Sequence, residues 1–186
     1  MIALLPGKDS MKWVVDKNST LGISGRTNLN HFSCSVGEYA GPDTICFTKP
    51  DCKEPKGVAL SGSIRLPIDG FDCKNRVMTG EFRKALRDQQ FPELTIAFIS
   101  LDRMPEPCAV IQSLKGWVEI TLSGVTRKFE IDYKTLMTDA GTVVLQGSRT
   151  LGFSDFGLAP PQKMGGLIKV NNMLDVHFTL CLRRLS

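Results

Sequence analysis

The sequence predicts an all-β, antiparallel fold, and three observations carry that expectation. Apolar and polar residues alternate with a period of two through most of the chain, the mark of strands with one buried face. Only one stretch repeats apolar residues at helical spacing. The length, 186 residues with 42% apolar and 23% charged, suits one domain with a sizeable core.

The elements follow in order. Residues 1–5 are apolar, but Pro6-Gly7-Lys8-Asp9 ends the run short of the roughly 7–15 residues of a secretory apolar region. Residues 1–11 are read as a flexible N-terminal arm and 12–186 as a single domain. Residues 13–23 and 32–36 supply the first strands. Residues 37–56 hold three prolines and two cysteines and read as one long connection. In 58–68, Val58, Leu60, Ile64, Leu66 and Ile68 share a face against Ala59, Ser61, Ser63 and Arg65. Residues 78–87 are the predicted helix, with Met78, Phe82, Ala85 and Leu86 opposite Glu81, Lys84 and Arg87, bounded by Phe91-Pro92. Residues 95–101 and 117–122 are rich in β-branched and aromatic residues. Residues 128–133 alternate strictly, 142–145 are apolar, and 174–182 are apolar at every even position. About eight antiparallel strands can stack as a sandwich or close as a barrel, and alternation alone leaves both open.

Composition and motifs exclude much chemistry. The net charge of +4 is slight and scattered, which speaks against nucleic acid, and no apolar run reaches the ~18–20 residues of a membrane helix. The six cysteines (34, 46, 52, 73, 108 and 181) contain no Cys-x-x-Cys pair, and His31 and His177 are the only histidines, so a metal centre is not expected. An even cysteine count suits an oxidising compartment; buried unpaired thiols are the alternative. There is no Gly-x-Ser-x-Gly elbow and no phosphate-binding Gly-x-x-x-x-Gly-Lys. Asp155-Phe156-Gly157 imitates the kinase metal-binding triplet without its partner motifs. Asp69 and Asp72 suit a turn, His31 a loop-to-strand junction, and His177, beside Asp175, a solvated strand face. Asn18-Ser19-Thr20 is a formal glycosylation triplet, meaningful only in a glycosylating pathway. No catalytic residue and no cofactor is expected. What remains is apolar volume, read either as a filled core or as a lined cavity, with Gly62 among the small residues that could leave room.

At this point the strands resemble the YceI-like family of lipocalin-like polyisoprenoid-binding proteins. Trp13-Val-Val-Asp16 with Ser19 is similar to its first strand, and residues 58–64 with Gly62 to its early hairpin. Phe91-Pro92-Glu-Leu-Thr-Ile-Ala-Phe98 is similar to the strand after its helix. Residues 116–127 resemble a glycine-bounded turn of the family, and Ser154-Asp-Phe-Gly-Leu158 its late signature. The likeness covers about residues 12–183. Asn18 stands where many members have histidine, and Phe153 where many have arginine; residues 27–56 mark a cysteine-containing variant subgroup. Within it the repeated Phe-x-Cys context suggests that Cys34 pairs with Cys73, and Cys46 and Cys52 would close the intervening loop, although six cysteines allow 15 connectivities.

The resemblance implies an eight-stranded antiparallel up-and-down barrel, lipocalin-like, with one short helix near its opening. The lumen would take the polyprenyl or quinone tail of an amphiphilic isoprenoid or lipid-like molecule, for carriage, storage or sensing. Leu60, Ile64, Ile96, Phe98, Ile120, Leu122, Phe129, Ile131, Val176 and Phe178 would line it, with Met78, Phe82 and Leu86 at the entrance. The implied location is periplasmic or otherwise extracytoplasmic, and a homodimer is left open. The contrasting expectation is an exported structural or interaction module with a filled core; a cryptic hydrolase or isomerase is disfavoured by the missing motifs.

Overall fold

Alternation of apolar and polar residues produces, in the computed structural model, a wall of antiparallel strands that closes on itself. The structure describes residues 10–37, 39–48, 57–137 and 141–185. In chain order its first strands are β1 (Ser10–Val15), β2 (Thr20–Arg26), β3 (His31–Val36), β4 (Thr44–Thr48), β5 (Val58–Ser61), β6 (Ser63–Pro67) and β7 (Phe71–Asp72). Helix α1 (Arg76–Ala85) follows, then β8 (Glu93–Leu101), β9 (Cys108–Leu122), β10 (Val125–Met137) and β11 (Thr142–Gly152). Two short strands, β12 (Gln162–Lys163) and β13 (Ile168–Lys169), pair with each other, and β14 (Met173–Arg184) ends the wall. Pairing runs β1–β4–β5–β8–β9–β10–β11–β14 and returns from β14 to β1. The eight-strand circuit is a closed barrel, so the sandwich left open by alternation is excluded.

The two segments on either side of β1 and β5 explain how so many short strands make eight. β14 pairs with β1 at Leu182↔Val15 and with β2 at Phe178↔Leu21. The stretch 13–23 is therefore two strands, parted by a turn in which Asp16 Oδ1 accepts from the Asn18 amide and Ser19 Oγ accepts from the Cys181 amide. β8 likewise pairs with β5 and β6 on either side of Gly62. The sequence reading of 37–56 as a single connection is corrected: it contains β4, whose Ile45 and Phe47 are both 1% exposed. A three-residue alternation between prolines is too short to stand out. The long strands β9, β10 and β11 also run beyond the segments expected from sequence, because one face of each stays buried or half-buried where small or polar residues such as Gly116, Thr135 and Gly147 interrupt the apolar row.

The β9–β10 hairpin turns on Ser123 and Gly124, both at positive φ (50° and 78°), the backbone of a tight two-residue turn matched to strand twist. Ser123 Oγ donates to the Leu86 carbonyl at 2.6 Å, which fastens the end of α1 to this end of the barrel. Asn75 caps the start of the helix by accepting from the Val77 and Met78 amides. Arg83 donates twice to the Phe71 carbonyl, and Phe82 packs edge-on against Phe71. The expected Cys34–Cys73 disulfide is present and joins β3 to the segment leading into α1. Cys46 and Cys181 are free thiols, so the expected Cys46–Cys52 pairing is not made; Cys52 itself lies outside the described residues. No helix among the described residues is long and apolar enough to cross a membrane.

At the end away from α1, Trp13, Ile45, Phe47, Val58, Leu101, Leu114, Leu145 and Leu182 fill the barrel. Trp13 Nε1 and Thr135 Oγ1 are buried there without hydrogen bonds.

Candidate functional site: the barrel lumen

The inward faces of the strands leave two adjacent cavities between that packed end and α1. The first, about 60 Å³, is lined among others by Leu21, Ile64, Leu66, Ile96, Phe98, Val118, Ile120, Ile131, Val176 and Phe178. The second, about 70 Å³, lies against α1 and is lined by Phe71, Phe82, Leu86, Leu122, Phe153, Phe156 and Leu174. Leu21, Ile96, Ile120, Leu151 and Val176 line both, so the cavities are stacked along one channel. By the measure in which one water occupies about 10–15 Å³, each is a slit for a few small groups and not an open tube.

Seven of the ten lining residues expected from sequence meet in the first cavity: Ile64, Ile96, Phe98, Ile120, Ile131, Val176 and Phe178. Leu122 faces the second. Leu60 is buried beyond the channel, in the core. Phe129 packs on Phe156, with ring centroids 6.1 Å apart, and lines neither cavity. Of the entrance residues, Phe82 and Leu86 are buried beneath α1 against the second cavity, and Met78 packs against the core beside them.

Room in the wall comes from Gly116 and Gly147. A Cβ on Gly116 would stand 2.9 Å from the Tyr133 ring, and one on Gly147 would run into the Phe178 ring. Tyr133 and Phe178 pack edge to face at 5.7 Å over these glycines and floor the first cavity. Gly62, expected to leave room, does something else: at φ +125° it sits against the Thr44 carbonyl where β5 passes into β6.

Tyr39, Tyr133 and Arg149 line the first cavity and were not anticipated. Tyr133 continues the alternation of Phe129 and Ile131, so its place was readable. Tyr39 lies in the stretch read as a loop and carried no signal. Its hydroxyl donates to Asp43 Oδ2 at 2.6 Å, and the same carboxylate oxygen accepts from the Arg65 amide on β6. The Tyr133 hydroxyl makes no hydrogen bond.

Both tyrosines of the chain thus face the lumen, and burial raises each phenol above its ordinary 10.0, with the Asp43 carboxylate adding to the rise at Tyr39. In the unfolded chain the phenols ionise near 10.0 while the folded barrel keeps them neutral, so their contribution is complete below that pH and is lost as pH climbs above it. Tyrosinate absorbance should stay flat through pH 10 and then rise together with loss of circular dichroism. An ordinary titration near pH 10 with the fold intact would contradict the burial of both rings.

Residues singled out for other chemistry stay apart. Asp155 Oδ2 accepts from the Gly152 amide and shapes a turn. Asp175 accepts from Thr150 Oγ1 on the outer wall, where His177 is exposed. Among the described residues no group of three metal-ligating side chains converges.

A closed antiparallel barrel with an apolar, glycine-thinned channel and one helix across its end defines a lipocalin-like barrel. Among solved structures it is similar to BcnA of Burkholderia cenocepacia, at TM-score 0.65 and 13% identity over 90% of this chain and 98% of that one. It is equally similar to a polyisoprenoid-binding domain from Saccharophagus degradans, at TM-score 0.65 and 9% identity over 93% and 98%. The YCEI protein of Campylobacter jejuni matches at TM-score 0.51 and 11% identity over 68% and 72%. No family model and no curated protein matches the sequence. The resemblance to YceI-like proteins is one of fold.

Proposed function

We propose that this protein binds an amphiphilic isoprenoid or lipid-like molecule, with a polyprenyl or quinone tail in the channel, and serves as a carrier, store or sensor outside the cytoplasm. The observation that carries the reading is the pair of adjacent cavities, sharing part of one lining, whose walls are almost wholly apolar. Each methylene removed from water contributes about 0.8 kcal/mol, so an apolar channel holds a chain with few specific contacts. The polyisoprenoid-binding neighbour supports a ligand of this kind, and the Cys34–Cys73 disulfide supports an oxidising compartment. The slit is narrow, so a long chain enters as lumen side chains swing aside. That narrowness favours the second reading, an exported module with a filled core.

Mass spectrometry of an organic extract of the purified protein separates the two. A stoichiometric lipid favours the carrier; a clean extract with no uptake of added polyprenol or quinone favours the module. Phe98, 5% exposed, lies beside its register partner Val118 in the wall of the first cavity. Phe98→Trp should fill the slit and abolish uptake while the barrel still folds, checked by circular dichroism. Unchanged uptake in the folded variant would remove the first cavity as the site.

A further inference from the structure

We infer that Arg149 is a head-group site, pairing with the carboxylate or phosphate of an anionic amphiphile whose chain lies in the channel. The inference rests on the lumen being a ligand site, and it adds the chemistry of the ligand's polar end.

The β10–β11 ladder ends beside this residue, and the turn 153–156 packs on β10 beyond it, through Phe156 on Phe129. The last pair is Asp132↔Ser148, so residues 125–131 of β10 and 149–152 of β11 are not paired with each other. Arg149 remains in register with Val176 on β14, on the inward row that runs Val143, Leu145, Gly147, Arg149 and Leu151. It is therefore an exposed cation on the lumen face of a strand, at the point where the β10–β11 ladder ends. Among the described residues lining either cavity it is the only charged one.

Its hydrogen-bonding capacity is uncommitted. The guanidinium lies over the Phe129 ring, 6.0 Å from the centroid, and makes no hydrogen bond or ion pair. Asp155 Oδ2 accepts from the Gly152 amide, Asp175 Oδ1 from Thr150 Oγ1 and Glu130 Oε1 from Lys115, and none of the three pairs with Arg149. Arg127, also beyond the end of the ladder, is committed through Nε to the Asp155 carbonyl. A planar fork of donors resting on an aromatic face is preorganised for two-point contact with a carboxylate or phosphate, and a neutral alcohol or quinone oxygen cannot supply the opposite charge. A ligand anchored here would send its chain past Ile131 and Val176 into the channel.

The test compares palmitate, hexadecyl phosphate and hexadecanol for binding to the full chain by calorimetry at low salt. Both anions should bind at least roughly ten-fold tighter than the alcohol, as a charge-assisted pair allows. Arg149→Gln should weaken both anions far more than hexadecanol and so erase that difference, and Arg149→Lys should restore part of it. Arg149 is exposed, so both variants should melt like the parent. Equal affinity for acid and alcohol, or equal loss of both in Arg149→Gln, would overturn the head-group site while leaving the lipid-binding reading standing. Displacement of palmitate by inorganic phosphate would overturn the amphiphile assignment in favour of a free anion. Failure of all three amphiphiles to bind would overturn both.

Discussion

Replacing Gly62 by alanine should destabilise the barrel by about 2–5 kcal/mol, the sum of left-handed backbone strain and a steric clash that has no flexible partner. Gly62 has φ +125°, which an L side chain rarely adopts, and a Cβ there would collide with the Thr44 carbonyl oxygen and stand 3.1 Å from Ile45 Cα. Both neighbours are backbone of β4. The residue also holds the wall together, because its carbonyl accepts from the Phe98 amide at 3.0 Å while β8 passes from β5 to β6. Relief of the clash requires β4 to retreat, and β4 links β1 to β5 in the closed circuit. Denaturant midpoints of the Gly62→Ala and Ser61→Ala variants provide the check, since Ser61 is exposed one residue away. Midpoints that coincide would show that the β4–β5 seam yields freely and does not close the barrel.

That glycine also shows where reading the sequence stops. Period-two alternation marked the inward rows of β10 and β14, β-branched and aromatic content marked β8 and β9 as strands, and the resemblance to a barrel family turned those rows into lining residues, of which Ile96, Phe98, Ile120, Ile131, Val176 and Phe178 meet in the first cavity. Alternation states which residues share a face but not how strands meet across it. Closure through β1–β14 depends on pairings between residues some 170 positions apart, and nothing local encodes them. The space in the lumen is set the same way. Gly147 makes room because it lies beneath the Phe178 ring of a neighbouring strand, Gly116 answers to the Ser100 carbonyl of β8 as well as to the Tyr133 ring, and Gly62, equally small, answers to the backbone of β4.

Arg149 was hidden for a related reason. Its strand loses apolar alternation after Leu145, where Gly147 and Arg149 take inward positions. A charge on an inward row looks like the end of a strand until the end of the β10–β11 ladder is known. The helix was legible, since Phe82 and Leu86 recur at helical spacing, but its partner was not: α1 packs over the channel through Phe71 and the β9–β10 turn.

Removing the Cys34–Cys73 disulfide should cost about 4 kcal/mol, the loop-closure value for the 39-residue separation it spans. The effect should be local as well as global. β3 is otherwise held by β2 and by the two-residue β7, whose ladder consists of Ser35↔Asp72 and Val36↔Phe71. The disulfide therefore fixes the segment from which α1 departs. Beyond it, the Cys73 amide donates to Thr79 Oγ1 and that hydroxyl donates to Asp72, contacts that need the same segment in place. In a Cys34→Ser/Cys73→Ser variant the amides of 71–86 should exchange with solvent faster than those of the β9–β10 hairpin, which has its own long ladder. Cys46→Ser and Cys181→Ser should fall within about 0.5 kcal/mol of the parent, because those thiols close no loop. Since Phe71, Phe82 and Leu86 wall the second cavity, loosening α1 should also admit an apolar dye that the oxidised barrel excludes. Equal midpoints for the oxidised and double-serine proteins would mean that the Phe82 packing and the Arg83 and Ser123 hydrogen bonds seat the helix by themselves, and the channel end would then be as firm without the disulfide as with it.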